Sequence, residues 1–402
     1  MSSRQLVVIG AGPAGATAAL FAARAGLDVL LIDKRRFPRD KICGDAIARK
    51  SLGVLSELGI DFGSAIREPV ARAVLTSPAG HRIDVDLSTR SEAAPHLVCR
   101  REIFDERLVR AAREQVEVWE DAAVSDLLHD GIKVRGVVCR RNGVDHEVHA
   151  PMVVGADGFD SVVARRLGLY AHDPRWYVAT RGYYRGLDVA PQTVEVHFVN
   201  ETLPGFLWMF PTGDGITNVG LGLVHRDIKK RRVRLRDVHE AVLALPRFRA
   251  RFARTERIGE VHGWNLPTPD FSRTLAGDGF MLAGDAAGLV DPFSGEGIGN
   301  AVVSGRLAAH MSAEIMRGET SHAAYSARLR EAVDAGEIKL HYRLRELARH
   351  ARLIDVLVGR AAAHSDVLNW IRGMTASSDT VANKRALLSP LTYARLMLRR
   401  TR

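Results

Sequence analysis

The chain reads as an α/β protein with a doubly wound parallel sheet, an inserted run of antiparallel strands and a helical end. Three stretches predict this. Residues 5–9 (QLVVI) form a buried-type strand that runs straight into Gly10-Ala-Gly12-Pro-Ala14-Gly15. An alanine-rich helix and a second apolar strand at 27–32, closed by Asp33, come next. Residues 279–305 read as a strand, a Gly284-Asp285 turn, a glycine-rich loop and a small-residue helix from about Ile298. Between them, residues 176–224 change to short strands rich in β-branched and aromatic residues.

The first stretch is a βαβ unit with GxGxxG at its turn, the pattern that seats a dinucleotide. Its glycines have separate tasks. Gly10 makes the turn, Gly12 lets a pyrophosphate approach, and Gly15 lets helix and strand pack closely. Asp33 stands at the end of the second strand, where it can accept hydrogen bonds from ribose hydroxyls. The later Gly284-Asp285 turn offers a carboxylate and exposed backbone N–H groups at a helix start, a seat for a polyol beside a phosphate or an electron-rich ring.

At 402 residues and 46% hydrophobic content the chain has material for two or three packed units. No apolar run approaches the ~20 residues that span a bilayer. Strand-like residues begin at Leu6, which argues against a signal peptide. Cys43, Cys99 and Cys139 lie outside any CxxC spacing, so neither a disulfide framework nor a metal site is expected, and the chain reads as cytoplasmic. The net charge of +10 is concentrated at the end, with 15 Lys and Arg against 7 Asp and Glu from Thr320 onward. No nucleic-acid motif accompanies this charge, which leaves a solvated helical face or peripheral contact with anionic lipid at the inner face of the membrane.

In chain order, residues 37–44 (FPRDKICG) form a loop leaving the carboxyl end of the second strand, where such sheets bind ligands. Cys43 is either a small buried hydrophobe or a thiol facing the ligand, and a low pKa would require nearby charge such as Arg39 or Lys41. Strands are expected at 70–75 and 81–87. Arg101 should precede a helix with Phe104 and Leu108 on its apolar face and reach back to a phosphate. Residues 116–119, 123–128 and 134–140 suggest a small meander. Asp157-Gly158 ends another strand. Phe206, Trp208 and Phe210 alternate along one strand, so their rings should share a face and could wall an apolar pocket. Residues 226–237 suggest a solvated basic helix. Leu340, Leu344, Leu347, Ala351, Ile354 and Val358 keep one helical face, and a last apolar, basic helix is expected at about 387–400.

Together these motifs resemble the FAD-dependent oxidoreductases of the aromatic-hydroxylase superfamily and, within it, the geranylgeranyl reductase family. The more specific marks are FPRDKICG (37–44), TRGYYRG (180–186), Phe206-x-Trp208-x-Phe210-Pro211 with NVGLG (218–222), and PFSGEGI (292–298). The resemblance implies a Rossmann-type FAD-binding domain at 1–75, 96–170 and 275–318. It implies an inserted antiparallel β-sheet substrate domain at 76–95 and 171–274, and a basic helical C-terminal region at 319–402. It places FAD against Gly10, Gly12, Ala14, Gly15, Asp33, Cys43, Gly44, Ala46, Arg101, Val124, Asp285, Gly297 and Ile298. Phe206, Trp208, Phe210 and Phe293 are the expected substrate wall, and Cys43 the candidate proton donor. Two departures bear on the substrate: Phe206 stands where tyrosine is common, and the loop continues Cys-Gly-Asp-Ala.

The implied reaction is reduction of isolated C=C bonds in a long isoprenoid, a geranylgeranyl-type lipid or prenyl quinone, with NAD(P)H or ferredoxin as electron donor. The alternative is an FAD-dependent monooxygenase that hydroxylates or epoxidises an apolar natural product. A flavin halogenase would need a lysine near the end of the first third of the chain, and none lies between Lys50 and Lys133.

Overall fold

The computed structural model describes residues 2–62, 69–87, 96–131, 133–170, 173–364 and 367–368. Its central sheet has six strands in the order Ala276–Gly277, Phe280–Leu282, Met152–Gly155, Leu6–Ile9, Val29–Ile32 and Glu117–Trp119. All neighbours pair in parallel except the two-residue edge Ala276–Gly277. The inner strands are buried at every position, which explains why their sequences run apolar without alternation. Glu117–Trp119 therefore belongs to this sheet and not to the meander expected for it. The meander is made by Ala122–Asp130, Lys133–Arg141 and Val144–His149, with Ser2–Ser3 on its edge.

Helix Pro13–Arg24 follows the first strand and packs against Ile298–Met316, the helix that leaves the glycine-rich loop. Small residues set that contact. In that contact a Cβ at Gly305 would lie 2.1 Å from the Ala14 carbonyl oxygen, while one at Gly15 would lie 1.7 Å from the Gly10 carbonyl oxygen at the strand–helix turn.

The second sheet runs Glu256–Leu266, Tyr177–Arg185, Ile216–Val224, Leu207–Gly213, Thr193–His197, Arg72–Thr76 and Arg82–Asp86. It is antiparallel apart from the parallel pair Thr193–His197 and Arg72–Thr76. The sheet thus takes in residues 72–75, which the sequence had assigned to the nucleotide domain. The basic stretch at 226–237 is not one helix: His225–Arg231 stops at Arg232, which has a left-handed backbone, and Leu235–Leu243 starts anew.

The apolar face from Leu340 to Val358 is likewise divided between Ala335–Leu347 and Ala351–Ala363. The second of these helices places Ile354, Val358 and Ala361 on Ala73, Ile83 and Val85 of the seven-stranded sheet. The helix expected at 387–400 lies outside the described residues.

Candidate active site and nucleotide seat

A cavity of about 1040 Å³ opens where the carboxyl ends of the parallel strands meet the seven-stranded sheet. It is lined by Gly10, Gly12, Ala14, Asp33, Cys43, Gly44, Ala46, Arg101, Val124, Asp285, Gly297 and Ile298, and also by Phe206, Trp208, Phe210 and Phe293. Gly15 lies behind it, in the helix–strand contact.

The nucleotide end follows from local backbone demands. Gly10 has φ +92°, and a Cβ there would meet the Ala156 carbonyl oxygen at 2.4 Å. At Gly12 a Cβ would meet only the Arg39 guanidinium, at 3.9 Å, so the protein itself does not need glycine there and the freed space faces the cavity. The helix behind Gly12 has no side-chain cap and no acid in its first turn, which leaves N–H groups and the positive end of its dipole for an anion. Asp33 accepts from Ala11 N at 2.7 Å and from Arg35 N at 2.8 Å, fixing its carboxylate at the cavity edge.

Arg101 lines the cavity and is also paired within the protein. It is the first residue of helix Arg101–Arg113, and its guanidinium is engaged by Asp105 through contacts of 2.7 and 2.8 Å. Asp105 also takes Arg39 at 3.0 Å. Arg101 is therefore anchored within its own helix, and it lies within hydrogen-bonding reach of the Cys43 sulfur. Burial raises the Cys43 thiol pKa, and the opposing charges of Arg101 and Lys41 do not reverse that, so Cys43 is a protonated thiol rather than a thiolate. Burial also lowers Lys41 to about 8; its ammonium sits 3.8 Å from the centroid of the Trp264 ring.

Asp45, the departure in the cysteine loop, has a structural role. It is fully buried with φ +63°, and its Oδ2 accepts from Tyr183 OH at 2.7 Å and from Asn218 Nδ2 at 2.8 Å. Asn218 also donates to the Cys43 carbonyl at 2.8 Å and accepts from Trp208 Nε1 at 2.9 Å. The TRGYYRG, NVGLG and aromatic motifs thus converge on the cysteine loop. A Cβ at Gly220 would lie 2.2 Å from the Trp208 ring, so that ring lies across a glycine backbone.

Phe206, Trp208 and Phe210 do share one face, with successive ring centroids 6.3 Å apart. Beyond them the cavity continues as an apolar arm between Leu75, Val194 and Val196 of the sheet and Leu353, Leu357 and Val358 of the last described helix. Sequence reasoning did not find this helix wall, nor Lys50, Tyr177, Asp291 and His341, all of which line the cavity. Asp291 directly precedes PFSGEGI, and His341 shares a helix face with Glu337, but nothing in the sequence joins the two.

The residues present suit FAD. Gly12 and the uncapped helix supply the seat for a pyrophosphate, and Asp33 the carboxylate for a ribose. Buried polar atoms at the cavity wall, Asp157 Oδ1, Tyr177 OH, Arg181 Nε and Trp264 Nε1, have no partner within the protein and remain for a ligand rich in hydrogen-bonding groups.

Comparison with known proteins agrees. The family described as FAD binding domain matches residues 3–335. A digeranylgeranylglycerophospholipid reductase from Methanoculleus marisnigri is 32% identical over 352 residues, covering 85% of each chain. A menaquinone reductase from Mycobacterium tuberculosis is 33% identical over 317 residues, covering 77% of this chain and 76% of its own. The solved structure of a geranylgeranyl bacteriochlorophyll reductase-like protein from Thermoplasma acidophilum superposes with a TM-score of 0.80 at 25% identity, covering 99% of both chains.

Proposed function

This chain belongs to the geranylgeranyl reductase family of FAD-dependent oxidoreductases, and from that premise we propose that it hydrogenates isolated C=C bonds of a long isoprenoid lipid. The observation that carries the reading is the continuity of one cavity from the nucleotide seat, past three aromatic rings, into an aliphatic arm.

FAD, when bound and reduced, supplies a hydride from its N5. The protein's residues then have three tasks. Gly12, the N-terminus of Pro13–Arg24, Asp33, Asp285 and the Gly297-Ile298 turn hold the cofactor. Phe206, Trp208, Phe210 and Phe293 exclude water and press the reacting alkene into one orientation. An unactivated alkene has no carbonyl to share developing charge, so this positioning carries much of the rate. The arm between Val194, Val196, Leu357 and Val358 takes up the chain.

Electrons come from NAD(P)H or ferredoxin, and anaerobic mixing with each donor in turn distinguishes them. A substrate that partitions into lipid places the protein at an anionic membrane surface, as the basic charge beyond Thr320 supports. No helix among the described residues is long and apolar enough to cross a membrane. Co-sedimentation with anionic liposomes, compared with neutral ones, tests that contact.

The direct experiment is anaerobic. Dithionite-reduced protein is mixed with a geranylgeranyl glycerophospholipid or menaquinone in detergent, and the lipid is followed by mass spectrometry. A gain of two hydrogens per double bond in the prenyl chain is expected. An unchanged lipid that gains oxygen once air is admitted would instead identify a monooxygenase.

A further inference from the structure

The reaction needs a proton as well as a hydride, and Cys43 is poorly suited to give one. Its thiol is held protonated by burial, which makes it a weak acid. A different group faces the same cavity. His341, on helix Ala335–Leu347, lines the cavity beside Phe293, with ring centroids 6.1 Å apart. Its Nδ1 is bound to Asp291 Oδ2.

The other oxygen of Asp291 is fully engaged. Oδ1 accepts from Phe293 N at 3.0 Å, Ser294 N at 2.7 Å and Ser294 Oγ at 2.8 Å. Asp291 N in turn donates to the Glu296 carbonyl at 2.8 Å, closing the loop on itself. The carboxylate is thus fixed with one oxygen free for the imidazole. This is the orienting arrangement that sets one ring nitrogen and leaves the other to exchange a proton. The same loop ends in Gly297 and Ile298, the expected flavin contacts, so the dyad and the flavin seat are built from one short segment.

We propose that His341, oriented by Asp291, is the general acid that protonates the alkene carbon opposite the hydride-accepting one. The proposal rests on the reductase reading above. In the step, the alkene π bond breaks as one carbon receives the hydride supplied by reduced FAD and the other receives the proton on His341 Nε2. Two C–H bonds would form, the Nε2–H bond and the bond that carried the hydride would break, the flavin would be left oxidised, and the neutral imidazole would regain a proton from solvent.

Titratable groups from several elements line the same cavity. Glu337 Oε1 lies 3.6 Å from Nε2 on the same helix, and Glu296 lies on the loop. Lys50, from helix Arg49–Glu57, lines the same cavity; its ammonium donates to Asn300 Oδ1 at 2.9 Å, and burial lowers its pKa. Tyr177, from strand Tyr177–Arg185, brings a hydroxyl that burial keeps protonated. Burial would raise the Asp291 carboxyl, yet the His341 bond and the Ser294 donors outweigh it and hold the group below the ordinary carboxylate range.

The test uses the FAD-loaded full chain, reduced anaerobically and mixed with a geranylgeranyl glycerophospholipid, with saturated product counted by mass spectrometry from pH 5.5 to 9. His341→Gln should keep FAD occupancy and apparent lipid KM but lose about 10²–10⁴-fold in single-turnover rate. The wild-type rate should depend on pH, because the acid must carry its proton, and that dependence should be lost in the glutamine variant. Asp291→Asn, which retains an acceptor for the loop N–H groups, should lower the single-turnover rate with FAD occupancy kept. An active wild type with a His341→Gln rate within about threefold, or with an unchanged pH profile, overturns the proposal and leaves the reductase reading standing. A wild type that saturates no prenyl lipid overturns both.

Discussion

Asp45 offers a quantitative test of how the cysteine loop is held. The carboxyl is 0% exposed, and burial raises its pKa from the ordinary 3.8 to about 6 against the pull of Tyr183, Asn218, Arg181 and Arg101. A carboxyl whose folded pKa exceeds its unfolded one binds its proton more tightly in the native state. The contribution of this group to stability is therefore highest below pH 4, declines as pH rises from about 4 to 6, and is level above. The two-unit gap corresponds to about 3 kcal/mol of lost stability near pH 7.

Both hydrogen bonds to Asp45 end on Oδ2, while Oδ1 is buried without a partner. In Asp45→Asn the amide oxygen can take the Oδ2 position and keep both donors, and the NH₂ group replaces an atom that bonded nothing. Asparagine also tolerates the φ of +63°. The substitution should then stabilise the protein by up to about 3 kcal/mol at pH 7.5 and by nothing near pH 4. Urea unfolding of wild type and variant at half-unit pH intervals measures this. A variant less stable than wild type at pH 7.5, or a constant difference between the two across the range, would refute the reasoning.

Gly12→Ala should fold, because its Cβ meets only Arg39 at 3.9 Å, yet bind FAD about 10- to 100-fold more weakly through one lost charge-assisted hydrogen bond; flavin fluorescence titration reads this. Gly15→Ala should fail to fold, since its Cβ would lie 1.7 Å from the Gly10 carbonyl oxygen, and soluble yield with circular dichroism will show it. Trp208→Phe leaves Asn218 Oδ1 without its 2.9 Å donor and should cost about 1–3 kcal/mol in urea unfolding. Leu357→Trp should narrow the apolar arm and lower kcat/KM for a geranylgeranyl chain about tenfold or more, with FAD content unchanged and a one-isoprene substrate spared.

What was legible in the sequence was what backbone geometry dictates locally. Gly10 and Gly15 are each explained by an atom a few residues away or on the neighbouring strand, so a short motif suffices to read them. The aromatic face was legible for the same reason, because alternation along one strand fixes which rings align. Arg101 was legible as a cavity residue, whereas its pairing with Asp105, one helical turn on, emerges only in the fold. The state of Cys43 was open because burial and the charges of Arg101 and Lys41 act in opposite directions, and only packing decides the balance. The apolar spacing from Leu340 to Val358 runs unbroken across the interruption at residues 348–350, because periodicity counts side chains and does not detect a lost helical hydrogen bond. The Asp291–His341 pair is fifty residues apart in sequence. Nothing short of the tertiary fold brings it together.

The buried carboxylate at Asp45 is the kind of local conflict that a sequence optimised for stability alone would remove. Its position argues for a reason to keep it. Through Tyr183 and Asn218 it fastens the Cys43 loop, which belongs to the nucleotide seat, to two strands of the seven-stranded sheet. Arg181 repeats the link through Asp40 at 2.7 Å. Two contacts of this kind on one short loop couple the flavin seat to the aromatic wall, so neither can shift without the other. For a reaction that depends on holding an unactivated alkene at a fixed distance from a hydride donor, that coupling matters more than about 3 kcal/mol of stability.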